Sequence, residues 1–257
     1  MNQILITEKL YVTPELKRKK KIYKFDFMIS IFIAIVLISL AIYAEYDRNK
    51  SEEVSKQIME DFNTTVEENE EIKQKNNILV VVLGNNKEEN NGVNNKENKV
   101  EKIQKQKETE PRKEESTAEG YIYTSIATIN IPKIDLNYTI IDGKTKSEKE
   151  TEVLLKKSPC KLEGPEPNEV GNFCIVGHNY RNKKFFSKVP NLENGDIVNI
   201  TDLTGRTITY KIYDKYIVDP YQVECLDQKT KGKKEITLIT CTNDSKNRVI
   251  VKAREIK

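Results

Sequence analysis

Three side chains in the last third of this 257-residue chain have the types needed for acyl-transfer chemistry. Cys241 closes the run TLITC, His178 follows the run FCIVG, and Arg248 opens the run RVIVKA. His178 is the sole histidine, so any imidazole chemistry must use it. A thiolate attacks an amide carbonyl well, and a neighbouring imidazole can take the thiol proton and later return one to a leaving amine. With reference pKa values of about 8.5 and 6.5, the thiolate–imidazolium pair lies about 2.7 kcal/mol above the neutral pair, so roughly one molecule in a hundred is armed before the site contributes. Arg248 stays charged at any working pH and offers a planar fork to a carbonyl oxygen or an oxyanion. Thr240 and Asn179 flank the thiol and the imidazole and are candidates for substrate contact, although the Thr240 hydroxyl has the alternative of completing a strand hydrogen bond. Taken singly, each residue has a plain reading: a buried small hydrophobe, a core or surface histidine, a solvated arginine.

These groups need a scaffold, and the chain supplies one from Gly120 to Lys257, where apolar runs alternate with turn residues every 8 to 12 residues or so, the pattern of a small all-β barrel or sandwich. The spacing predicts strands at 122–131, 138–141, 173–176, 196–200, 207–218, 235–241 and 248–253. Residues 147–157 predict a short helix, because Val153, Leu154 and Leu155 sit among Lys and Glu with no Gly or Pro. A region of this size can bury one core.

The rest of the chain is different in texture. Only 37% of all residues are apolar and 32% are charged, which is too polar for one globular body. Residues 27–44, FMISIFIAIVLISLAIYA, carry no charge over 18 positions. As a helix they would span about 27 Å, close to the hydrocarbon thickness of a bilayer. Lys17, Arg18, Lys19, Lys20, Lys21 and Lys24 precede them, so residues 1–26 are expected in the cytoplasm and the chain after Ala44 outside the membrane. Residues 45–119 are dominated by Glu, Lys, Asn and Gln and read as a polar, largely disordered linker, with Val54, Ile58 and Phe62 spaced for a short juxtamembrane helix. A net charge of +3 is too slight for a basic nucleic-acid binder.

The segments GHNY, TLITCT and NRVIVKA together resemble the sortases, membrane-anchored cysteine transpeptidases of Gram-positive bacteria, whose signature is a His after a strand, a TLxTC strand and an Arg on the next strand. Seven positions separate Cys241 from Arg248, and the resemblance extends to IPKIDL early in the domain and to FFSKVPNLENGD after the His. The resemblance covers residues 120–257 and implies a sortase-type eight-stranded β-barrel with one or more short helices. It also implies a role for each residue. Cys241 would be the nucleophile, His178 the acid or base, and Arg248 the donor to the substrate carbonyl or oxyanion. The implied partners are a surface-protein sorting signal of the Leu-Pro-x-Thr-Gly kind and an amine acceptor of the cell wall or a pilin. Within the family a class D-like member is favoured over class A or B, because class B inserts a helix between its later strands and 218–234 is short for one. The Lys229 to Lys234 cluster falls in the loop that, in the family, helps choose the sorting signal.

A catalytic thiol leaves Cys160, Cys174 and Cys225, so at most one disulfide is expected; Cys174 reads as core, and a Cys160–Cys225 pair stays open. No Cys-x-x-Cys occurs and one histidine cannot build a multi-histidine centre, so no metal or cofactor is expected. Glu163, Glu166 and Glu169, in a Pro-containing loop before the His, read as solvated carboxylates, with calcium as the one alternative. Two other functions share these features: a tethered β-domain that only binds, and a cysteine protease that releases the acyl group to water.

Overall fold

A computed structural model describes residues 14–84 and 113–256. The chain divides into two compact units, residues 1–50 and 51–257. Helix α1 (Pro14–Gly84) includes the uncharged stretch, whose apolar side chains are exposed within the first unit. It is long and apolar enough to cross a membrane.

The second unit is built on one sheet. Its strands are β1 (Glu114–Ser116), β2 (Ile122–Ile131), β3 (Leu136–Gly143), β4 (Cys160–Glu163), β5 (Gly171–Val176), β6 (Ile197–Asp202), β7 (Thr207–Val218), β8 (Lys234–Cys241) and β9 (Arg248–Glu255). They lie in the order β1-β2-β3-β4-β5-β8-β9-β7-β6, and β6 pairs back onto β2 through Ala127–Asp202 to Asn130–Asn199. Eight strands therefore close a barrel, as the sortase resemblance implies, and β1 is a short extra strand on the first residues of β2. Closure removes the free edges that an open sheet would expose. Helix α2 (Glu148–Leu155) joins β3 to β4 and is capped by the Ser147 side chain, which accepts from the Glu150 N–H.

The barrel interior is filled by the inward set of alternating residues. Ile129, Ile131 and Ile140 meet Phe173, Ile175, Ile236, Leu238, Val249 and Val251 there. A second buried cluster lies outside the barrel wall, where Cys174, Cys225, Ile239 and Ile250 pack with Val176 and Val218. Asn168 keys the β4–β5 connection to the wall: its amide donates to Ile200 O and Arg206 O, and its Oδ1 accepts from the Tyr210 hydroxyl.

The stretch read as a linker differs in its described parts. Residues 45–84 belong to α1, and β1 falls inside the expected linker; residues 85–112 lie outside the described residues. The physical reason is the spacing of Ser51, Ser55, Ile58 and Phe62, one stripe of a helix, all buried in the second unit. Ile58 packs with Tyr123, Ile141, Leu154 and Cys160, and Ser55 shares a 3.3 Å hydrogen bond with Ser158. The charged residues that suggest disorder, such as Glu53, Lys56 and Glu60, occupy the exposed side of the same helix.

Candidate active site

Alternation along the strands decides where the three chemistry-bearing side chains go. On β8, Ile236 and Leu238 face the barrel interior while Ile239 belongs to the outer cluster, so Cys241, two residues on, shares the outer face. On β9, Val249 and Val251 face inward and Ile250 outward, which puts Arg248 outward as well. Phe173 and Ile175 of β5 face inward, Cys174 and Val176 outward, and His178 continues the outward set. One face holds all three.

Pairing also aligns them. Cys241 and Arg248 are direct partners in the antiparallel β8–β9 ladder. The next pair out, Thr242 and Asn247, is joined by a backbone hydrogen bond of 3.0 Å, which makes Cys241–Arg248 the non-hydrogen-bonded kind, with Cα atoms about 4.5 Å apart and side chains close. Strands β5 and β8 run parallel with Val176 opposite Ile239, and the Gly177 N–H donates to Ile239 O at 3.0 Å. His178 and Cys241 each stand two residues beyond that pair. The Asn179 side-chain amide then donates to Cys241 O at 2.9 Å and to Asn243 Oδ1 at 3.1 Å, tying the His segment to the end of the Cys strand.

Cys241 is a free thiol and half-buried. Burial holds the His178 pKa below its ordinary value; the Lys156 charge pushes the same way and Glu152 opposes both. The neutral imidazole is therefore its resting form at neutral pH, the form that can accept a proton from a thiol. Arg248 donates to Asn247 O at 3.4 Å. A thiol, a neutral base and a fixed cation on one face are a set able to attack a carbonyl and stabilise the resulting oxyanion.

The two flanking candidates have internal partners. Thr240 is buried, 1% exposed, and its hydroxyl donates to Gly177 O at 2.8 Å, the strand-completing alternative. Asn179 is half-buried and uses its amide on Cys241 O. Both fix the relative position of the His and Cys strands.

Sequence reasoning missed what holds His178 from behind. The Tyr180 ring lies 5.0 Å from the imidazole and packs edge-on against Phe185, which stacks on Tyr138 at 5.0 Å. The Tyr138 hydroxyl accepts the Phe185 N–H at 3.0 Å, and the Phe186 N–H donates to His178 O at 3.0 Å. Gly177 is required here because a Cβ would come within 2.6 Å of the Phe186 ring. Only that glycine, next to the histidine, was a usable signal.

Beside the site, residues 219–233 connect β7 to β8 and contain one short 3-10 turn (Glu224–Leu226). Asn172 on β5 clamps this connection: its amide donates to Cys225 O and Asp227 O, and its N–H donates to Gln228 Oε1. The four cysteines are free thiols, and Cys160 and Cys225 lie in different clusters. Of the loop carboxylates, Glu166 pairs with Lys161 at 3.1 Å and Glu169 with Arg206 at 3.3 Å. Among the described residues no group of three or more His, Cys, Asp or Glu is arranged to hold a metal ion.

A family model described as a sortase domain matches residues 129–256. Sortase A of Streptococcus agalactiae serotype III (strain NEM316) is 30% identical over 129 residues, 50% of this chain and 51% of the relative. The chain thus spans about half the length of the curated relative it matches. Among solved structures, the Sortase D5 transpeptidase of Clostridium perfringens is 35% identical, with 52% of this chain and 79% of that one covered and a TM-score of 0.45. Sortase A from Corynebacterium diphtheriae is 28% identical, with 52% and 61% covered and a TM-score of 0.44. The matched residues run from Ile129, near the end of β2, to just past β9 and include Cys241, His178 and Arg248, so it is through its closed barrel that this chain belongs to the sortase family.

Proposed function

We propose that the chain is a cysteine transpeptidase that cleaves a sorting signal of the Leu-Pro-x-Thr-Gly kind and passes the acyl group to an amine of the cell envelope. The observation that carries this reading is the shared outer face of Cys241, Arg248 and His178, with the first two as direct strand partners. His178 accepts the Cys241 proton as Sγ bonds to the carbonyl carbon of the scissile amide, and Arg248 donates to the oxyanion. The C–N bond then breaks, the imidazolium gives its proton to the leaving amine, and a thioester remains on Cys241. The acceptor amine adds to the thioester, loses its proton to His178, and displaces the thiolate, which takes that proton back. The β7–β8 connection leaves β7 at Val218, the strand partner of Arg248, so its first residues are the choice for sorting-signal selection; Lys229 and Lys231 lie at its far end, by the start of β5 and β8. A class D-like assignment is supported by the absence of an inserted helix beyond the three-residue turn Glu224–Leu226 among the described residues of that connection. The apolar stretch of α1 anchors the protein, with the Lys-rich N-terminus in the cytoplasm and the barrel outside.

The test is mass spectrometry of the full chain in detergent with a library of Leu-Pro-x-Thr-Gly-like peptides and an added amine. An acyl adduct on Cys241 and ligated product are expected, and Cys241→Ala abolishes both. Hydrolysed peptide without ligation would make it a protease, and peptide turnover surviving Cys241→Ala would overturn the mechanism.

A further inference from the structure

The loop that carries His178 has an unusual backbone. Arg181, Lys183 and Phe185 all adopt positive φ (58°, 70° and 50°), and Phe185, with ψ of −133°, lies outside the left-handed helical region as well. Non-glycine residues hold such conformations only where the surroundings over-determine them. The barrel grips both ends of this loop, through Asn179 on Cys241 O and through Tyr138 on Phe185. Its middle is reached from the helical stretch 51–71 of the same unit, where Glu52 Oε2 meets Lys184 Nζ at 2.5 Å.

We propose that Glu52 is a positioning residue for the transfer reaction: its ion pair with Lys184 holds the His178 loop in register with Cys241, making the helical stretch 51–71 a working part of the catalytic unit.

Three observations support it beyond the contact itself. The pair is sheltered, with side chains 26% and 22% exposed, so its attraction is less screened than that of an open surface pair. The base from which Glu52 reaches is itself fixed, by Ile58 and Phe62 in apolar contact, by Ser55 on Ser158, and by Asn69 on Leu203 O at 3.4 Å. The hydrogen bond from Lys184 holds the Glu52 carboxyl below its usual range, so the ion pair persists across the pH range of catalysis. A catalytic base displaced by about 1 Å costs as much as 10²-fold in rate, so a modest relaxation of the loop is measurable.

This inference rests on the transpeptidase reading for its rate measurements, and a second measurement frees it from that dependence. The full chain in detergent is assayed for peptide–amine ligation and, separately, for Cys241 alkylation by iodoacetamide as a function of pH, which needs no sorting peptide. The charges acting on His178 in that titration are Lys156 and Glu152 from the α2 region; the Tyr180 ring of its own loop lies against it, and Cys241 of β8 and Arg248 of β9 are on the same outer face. Glu52→Gln and Lys184→Gln should each lower kcat about tenfold with KM within about twofold, and the double variant should be no worse than either single. Both should also displace the pH profile of alkylation. Glu52→Asp should recover part of the rate, and Glu53→Gln, the same charge change on the exposed side of the helix, should leave rate and profile as in the wild type. Wild-type kcat and an unchanged alkylation profile in Glu52→Gln would overturn the proposal. So would a kcat loss that tracks a lowered Tm while the alkylation profile stays put. A chain that ligates no peptide yet whose alkylation profile responds to Glu52→Gln would sink the transpeptidase reading and leave the positioning role standing.

Discussion

His178 rests neutral for a reason that can be tested one charge at a time. Burial removes solvent from the imidazolium, Lys156 repels it, and Glu152 attracts it less than the other two disfavour it. The acid limb of the pH–rate profile should therefore fall below pH 6.5, the ordinary histidine value, with Lys156→Gln moving it up and Glu152→Gln moving it down. An acid limb above 6.5, or one indifferent to both substitutions, would show that another group sets it. The same shift has a stability consequence whose sign is fixed. A histidine whose folded pKa is depressed binds fewer protons folded than unfolded between the two values, so stability rises with pH across that window. As pH falls below 6.5 toward the folded value, the wild type should lose Tm relative to His178→Gln, and the gap should stop growing once the pH is below the folded pKa.

One of the bonds that hold these segments together is buried at the point where β5 ends. Thr240 Oγ1 donates to Gly177 O, one residue before His178 and one before Cys241 along the two strands. Thr240→Val keeps the shape and removes the donor, leaving a buried carbonyl without that partner. It should cost about 1–3 kcal/mol in denaturant unfolding, and Thr240→Ser should restore most of it. Much of this scaffold was readable from side-chain alternation: β2 and β7 run over the expected residues, and β5, β8 and β9 differ by one or two at their ends. The placement of Cys241 and Arg248 at facing strand ends was readable too, because one closes and the other opens such a run, whereas their proposed roles come from the motif resemblance. Strand β4 escaped because its four residues sit between Pro159 and Gly164 with charged residues at alternate positions, and β1 because Glu114–Ser116 contains no apolar residue. The shape of the His178 loop was not legible, since Arg181, Lys183 and Phe185 give no sign of positive φ, and Arg181 and Phe185 are tied to Ser245 and Tyr138, far away along the chain.

At the scale of the whole second unit, composition misleads where pattern does not. The segment after the apolar stretch is rich in Glu, Lys and Asn, yet four residues at helical spacing bury one stripe of it against β2, β3 and α2. A single helix attached through so narrow a stripe should open independently of the barrel, because its release exposes little of the core. Phe62→Ala removes one of the two large apolar side chains in that stripe. Substitutions of this kind cost about 3–5 kcal/mol in a packed core, enough to release a lone helix held by few contacts. Hydrogen exchange read by mass spectrometry should then show the amides of residues 51–71 exchanging at least about tenfold faster, with β8 and β9 keeping wild-type protection. Turnover should fall with them, because the released helix takes Glu52 away from Lys184. Uniform loss of protection across the barrel would mean that the helix is part of one cooperative core, and unchanged turnover with a released helix would mean that the His178 loop keeps its shape unaided.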